Sequence, residues 1–161
     1  GDGTTLPAKT AVEYLRGLCQ RDRFATTGFP VFGKPVHLSD VKVPLCAIAC
    51  ETDHIAHWRG SFNGIKQMGS ADKSFILSES GHIAGIINPP SKDKYGHYAS
   101  DAPVSGDPDA WLKGATFHKG SWWPRWVEWL AAQSGPLVKA RTPVDSLAAA
   151  PGTYVVATPA D

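Results

Sequence analysis

CAIACETDHIAHWRG, residues 46–60, opens as a continuous apolar run and closes on Asp53, His54, His57 and Trp58. A short apolar run of this kind reads as a strand buried on both faces. The next segment, WRGSFNGIKQMG (58–69), sets Trp58, Phe62, Ile65 and Met68 at helical spacing, and KSFILSES (73–80) reads as a second strand. Strand, helix and strand in this order form a βαβ unit, so the two strands should be parallel neighbours. Their carboxyl ends then share one edge of the sheet, where open α/β sheets bind ligands. The second strand runs into SGHIAG, which carries His82. Asp53 and His82 are therefore expected on one rim.

A carboxylate bonded to an imidazole fixes its tautomer and lets it move a proton to and from a nucleophile. α/β-hydrolases place the nucleophile first, the acid after a late strand and the histidine after the last. Asp53 and His82 match the second and third members, and Gly81 and Gly85 are expected to let the chain turn sharply around the base. No Gly-x-Ser/Cys-x-Gly turn precedes Asp53: Cys19 sits inside a helical segment, and Cys46 and Cys50 lie within the first strand. Two plainer readings stand beside the catalytic one, Asp53 as a turn or cap residue and His82 as a surface group. Cys50, Asp53, His54 and His57 have metal-ligand chemistry, but adjacent Asp53 and His54 point apart and no second pair has zinc-site spacing. No metal site is expected.

The rest of the chain frames this unit. Residues 4–23 read as a helix with Pro7 near its start. GFPVFGKPVHLSDVKVP (28–44) reads as an extended arm or hairpin around Gly33-Lys34, ending in a turn at Ser39-Asp40. Residues 88–107, rich in Pro, Ser and Gly, are expected to be irregular loop. Asp107-Pro108 caps a short helix, and SWWPRWVEWLAAQSG (121–135) is another, stopped by Gly135-Pro136. Trp122, Trp126, Trp129 and Leu130 fall on one face of it, which suits core packing or a ligand platform. Trp58 either lines a pocket or caps the core. Arg59, Lys92 and Lys94 near the rim either meet a phosphorylated substrate or are simply solvated. The residues after Leu137 show too little patterning for regular structure.

Composition narrows the partners. A net charge of +1 gives no support for nucleic acid or an anionic membrane. No apolar run approaches the roughly 20 residues of a bilayer span, and GDGTTLPAK lacks the regions of a signal peptide. Three cysteines without a disulfide spacing suit free thiols in a reducing cytoplasm.

ETDHIAHWR (51–59), ESGHIAGIINPPSK (79–92), ATFHKGSWWPRWVEWL (115–130) and AAPGTYV (149–155) together resemble the C-terminal part of a class I polyhydroxyalkanoate synthase. The opening GDGTTLPAKTAVEYLR and GKPVHLSDVKVPL (33–45) extend the resemblance along the chain; SGHIAGIINPP followed by GSWWPRW is its most specific part. It implies an α/β fold, the C-terminal portion of an α/β-hydrolase with the last parallel strands, flanking helices and an incomplete sheet. Residues 1–36 would be the end of a lid-like region and a connecting arm, 37–135 part of the catalytic domain, and 136–161 an irregular tail.

The function implied is acyl transfer, polymerising (R)-3-hydroxyacyl-CoA onto a growing polyester chain with release of CoA and no cofactor. Asp53 would be the catalytic aspartate and His82 the general base. His54 and Trp58 would be substrate-binding, and either Asp53 or His82 would deprotonate the hydroxyl in elongation. The parent enzyme would be a homodimer, cytoplasmic and associated with polymer granules. Two departures accompany the resemblance. His57 stands where the family usually has proline, and the cysteine box is absent, so the chain is expected to be an inactive fragment with an exposed sheet edge, prone to aggregate or pair with a copy. The rival readings are part of a serine lipase, esterase or depolymerase, and a non-catalytic granule- or subunit-binding module.

Overall fold

The computed structural model describes residues 5–141, 149–153, 155 and 157. The first residue of the expected helix and much of the expected tail lie outside these. Helix α1 covers Ala8–Tyr14, directly after Pro7, and continues as a π-helical turn over Leu15–Gln20. It is shorter than the expected 4–23 because Asp22 takes a left-handed φ of 44° and ends it. Strands β1 (Phe29–Val31) and β2 (Lys34–Val36) form the anticipated hairpin. Phe32 and Gly33 both have positive φ, at 49° and 77°, as a two-residue hairpin turn matched to strand twist requires. A 3₁₀ turn at Leu38–Asp40 follows, closed by reciprocal His37–Asp40 bonds.

The main sheet begins with β3 (Leu45–Cys50), crosses through helix α2 (Trp58–Gln67) and returns as β4 (Lys73–Ser78). β3 and β4 are parallel, with Leu45 opposite Lys73 and Cys50 opposite Ser78. Two short strands follow antiparallel, β5 (His97–Ala99) on β4 and β6 (Thr116–His118) on β5, giving the order β3-β4-β5-β6. The sheet is therefore mixed, and residues 88–107 are not wholly irregular. Between β5 and β6 lies helix α3 (Pro108–Gly114), whose Asp107 side chain caps the Ala110 N–H at 2.9 Å. Helix α4 (Trp123–Ala132) follows β6, with Pro124 in its first turn.

Period-two alternation divides the sheet faces. Ala49, Phe75 and Leu77 face α2 and α3 and bury a core with Trp58, Phe62, Ile65 and Trp111. Phe75 sits at its centre, edge-on to Phe62 at 5.2 Å and to Trp111 at 5.1 Å. Full burial of each such side chain is worth roughly 1.5–3 kcal/mol. Helix α4 lies over the other face, where Arg125 and Trp129 share a cavity of about 490 Å³ with Cys46, Ser74 and Ile76. β3 is only half-buried over most of its length rather than buried on both sides, because it forms an edge of the sheet. Among the described residues its outer edge has no strand partner.

Candidate active site

The two strand ends do meet. Past Cys50 the ladder continues into the loops, with the Glu51 N–H donating to Ser78 O at 2.8 Å and the Thr52 N–H to Ser80 O at 3.1 Å. This carries Asp53 and His82 forward side by side, and His82 Nδ1 lies 2.8 Å from Asp53 Oδ2. Asp53 Oδ1 accepts the N–H groups of Ile55 and Ala56, both at 2.9 Å. The turn-residue reading of Asp53 is thus correct for one oxygen, which leaves the other for the imidazole.

Asp53 is 8% exposed, whereas the His82 side chain is 47% exposed. The Asp53 pKa falls to about 2, first through the Ala56 N–H, then through the His82 hydrogen bond, with Ile55 adding to both against the cost of burial. An ionised carboxylate at Nδ1 places the imidazole proton there, so Nε2 carries the lone pair. Nε2 makes no hydrogen bond among the described residues and is the atom free to accept a proton.

The loop around His82 departs from the expectation that Gly81 and Gly85 make the sharp turn. The left-handed residue is Ser80, at φ 73°. Gly85 serves close approach instead: a Cβ there would lie 2.6 Å from Cys50 Sγ and 2.7 Å from Glu79 O. Its carbonyl accepts both Ser78 Oγ and Trp122 Nε1 at 2.9 Å, and Trp123 Nε1 donates to Ile86 O at 3.0 Å. The start of α4 is therefore a clamp on the loop that carries His82, more than one side of a core stripe. Trp122 is buried, but Trp126 and Trp129 are half-buried and Leu130 is 39% exposed. Glu79 completes the frame by accepting the Gly96 N–H. None of these anchoring groups has a sequence signature; the pairing of indole N–H with a glycine carbonyl appears only once the fold is formed.

The remaining candidates separate. His54 is exposed beside the pair, and Trp58 is 4% exposed and packs against Phe75 in the core. Arg59 is held by Asp109 through a two-point bridge of 2.6–3.1 Å, so its charge is already engaged. Lys94 lies over the Tyr95 ring, and Lys92 is exposed. Cys50 is buried, and desolvation followed by the nearby Asp53 charge raises its thiol pKa, the opposite of nucleophile activation. Cys46 is half-buried and Cys19 exposed. Among the described residues no cluster of three or more His, Cys, Asp or Glu side chains is placed to hold a metal ion, and no helix is long and apolar enough to cross a membrane.

His57, where the resembling family has proline, caps α2 with φ −54°. That angle lies inside the range a proline ring imposes. The substitution leaves the backbone path at this turn in a proline-compatible form.

No protein-family model matches the chain. Curated relatives do. The chain is 39% identical over 157 residues to "Poly(3-hydroxyalkanoate) polymerase subunit PhaC" of Rhizobium meliloti, covering 96% of this chain and 25% of that protein. It is 38% identical over 160 residues to "Poly(3-hydroxyalkanoate) polymerase 2" of Ectopseudomonas oleovorans, covering 96% and 28%. The polymerase of Methylorubrum extorquens is 41% identical over 160 residues, with 96% and 26% covered. The chain spans about a quarter of the length of the curated relatives it matches.

Proposed function

We propose, from the premise that the chain belongs to the poly(3-hydroxyalkanoate) polymerase family and matches the C-terminal part of its members, that it supplies the acid–base half of an acyl-transfer site. The observation that supports this is the contact between His82 Nδ1 and Asp53 Oδ2 with Nε2 left open. The nucleophile in this reading is a cysteine thiol from a segment other than these residues, completing a Cys-Asp-His triad on an α/β-hydrolase sheet that extends past the free edge of β3. His82 Nε2 takes the thiol proton as sulfur attacks the acyl-CoA thioester; the CoA thiolate leaves and receives that proton. A chain-end hydroxyl then gives its proton to Nε2 and attacks the enzyme thioester, forming an ester bond and regenerating the thiol. Asp53 holds the imidazole and balances its transient charge throughout.

The substrates proposed are (R)-3-hydroxyacyl-CoA and the growing polyester, with no cofactor, in a dimeric cytoplasmic enzyme bound to polymer granules. His54, exposed at the rim, is the candidate for substrate contact. The matched relatives carry polymerase names, which favours transfer to a hydroxyl over hydrolysis by a serine esterase. In the full-length protein, His82→Gln and Asp53→Asn should each slow CoA release from 3-hydroxybutyryl-CoA by roughly 10²–10⁴-fold. Release at the parent rate in either variant removes that residue from the mechanism.

A further inference from the structure

Helix α1 buries none of its residues in the core, yet it borders a basic pocket. A cavity of about 230 Å³ beside α1 is lined by Arg16, Arg21 and Arg23, with Glu13, Phe29 and Pro30 among its other walls. The backbone explains why three arginines meet there. Over Leu15–Gln20 the helix is π-helical, so hydrogen bonds reach five residues back instead of four. Arg16 and Arg21, five apart, come to the same side; at ordinary α-helical spacing they would diverge by roughly 140°. Asp22 at φ 44° then breaks the helix, and the Arg23 N–H returns to Gly17 O at 2.9 Å, which folds the third arginine back to the same cavity. Gly17 has no room for a side chain, since a Cβ there would lie 2.5 Å from the Phe29 ring. Packing at Gly17 thus fixes the turn that gathers the charges.

Among the described residues none of the three guanidinium groups takes part in an ion pair or side-chain hydrogen bond. Glu13 is the single carboxylate lining the cavity, so positive charge is left in excess. We propose that this cavity binds the phosphoryl group of a phosphorylated small molecule, with the guanidinium groups of Arg16, Arg21 and Arg23 as donors. Arginine's planar fork matches phosphate oxygens two at a time, and an anion relieves the mutual repulsion of the three charges. The volume is below that of a pocket enclosing a whole drug-sized ligand, so it suits a phosphate or pyrophosphate group, with the remainder of the ligand leaving along Phe29 and Pro30. Of the cations near the Asp53–His82 rim, Arg59 is already engaged by Asp109. Identifying the ligand as the coenzyme A end of an acyl donor rests on the proposed acyl transfer; the phosphate site itself does not.

The test is calorimetric titration of the full-length protein with pyrophosphate, coenzyme A and 3′-dephospho-coenzyme A, in the parent and in the Arg16→Gln/Arg21→Gln variant. Arg16 and Arg21 are both exposed, so the melting temperature should not change. At least one ligand is expected to bind, with Kd rising roughly tenfold or more in the variant and rising with salt in the parent. Arg21→Lys, which keeps charge but loses the fork, should fall between the two. Coenzyme A binding much tighter than both other ligands identifies its phosphorylated end; pyrophosphate binding as tightly identifies a simpler phosphate. Absence of binding in every arm, or equal affinity in parent and variant, overturns the proposal. Turnover of Asp53→Asn bears only on the acyl-transfer reading, so the two fail separately.

Discussion

Asp53 divides its two oxygens between jobs: one holds its own loop through Ile55 and Ala56, and the other holds His82. Its pKa of about 2 lies below the ordinary 3.8, so its ionised form stabilises the fold fully above pH about 4 and loses that contribution as pH falls through about 2. An NMR titration should place the carboxylate near that value. His82→Gln should raise it only partway, because the Ala56 N–H is the larger cause; no change on His82→Gln would show that the contact is not made in solution. At His57 the φ of −54° suits proline, so His57→Pro is expected to stabilise the protein by roughly 0.4–1 kcal/mol in chemical denaturation. A loss of stability would mean that the His57 N–H has a partner. Asp53 and His82 were legible in sequence as a contacting pair because an acid and an imidazole follow the ends of neighbouring parallel strands. Ser80 was not, since a left-handed serine has no compositional signal and glycines stood on offer nearby.

Elements long enough to show a period were readable: β3, α2, β4 and the capped starts of α3 and α4 fall where patterning puts them. β5 and β6 did not stand out because each is three residues long, too short for alternation, and each forms by pairing with a strand already in place. The role of α4 was half legible. Its tryptophan spacing suggested a packed face, but Trp122 and Trp123 also donate their N–H groups to Gly85 and Ile86. Trp122→Phe keeps much of the ring and loses the donor, so it should cost about 1 kcal/mol and, on the proposed acyl-transfer reading, slow CoA release in the full-length protein by loosening the His82 loop. Trp126→Phe, which breaks no such bond, is the control in thermal melts and turnover. Equal losses from the two would reduce the clamp to ordinary packing.

At the scale of the molecule, the parallel pair β3–β4 does what the fold needs for chemistry: it brings groups 29 residues apart in sequence to 2.8 Å. α2 and α3 anchor one face through Phe62, Phe75 and Trp111, α4 ties down the loop from the other, and the free edge of β3 is where the proposed wider sheet would continue. The one prediction that draws on all of these parts is the protonation pattern of His82. Nitrogen-resolved NMR of the neutral form of the imidazole in the full-length protein should find the Nδ1–H tautomer, and Asp53→Asn should abolish that preference. The Nε2–H tautomer of the neutral ring, or an Nδ1–H preference unaffected by Asp53→Asn, would contradict the account.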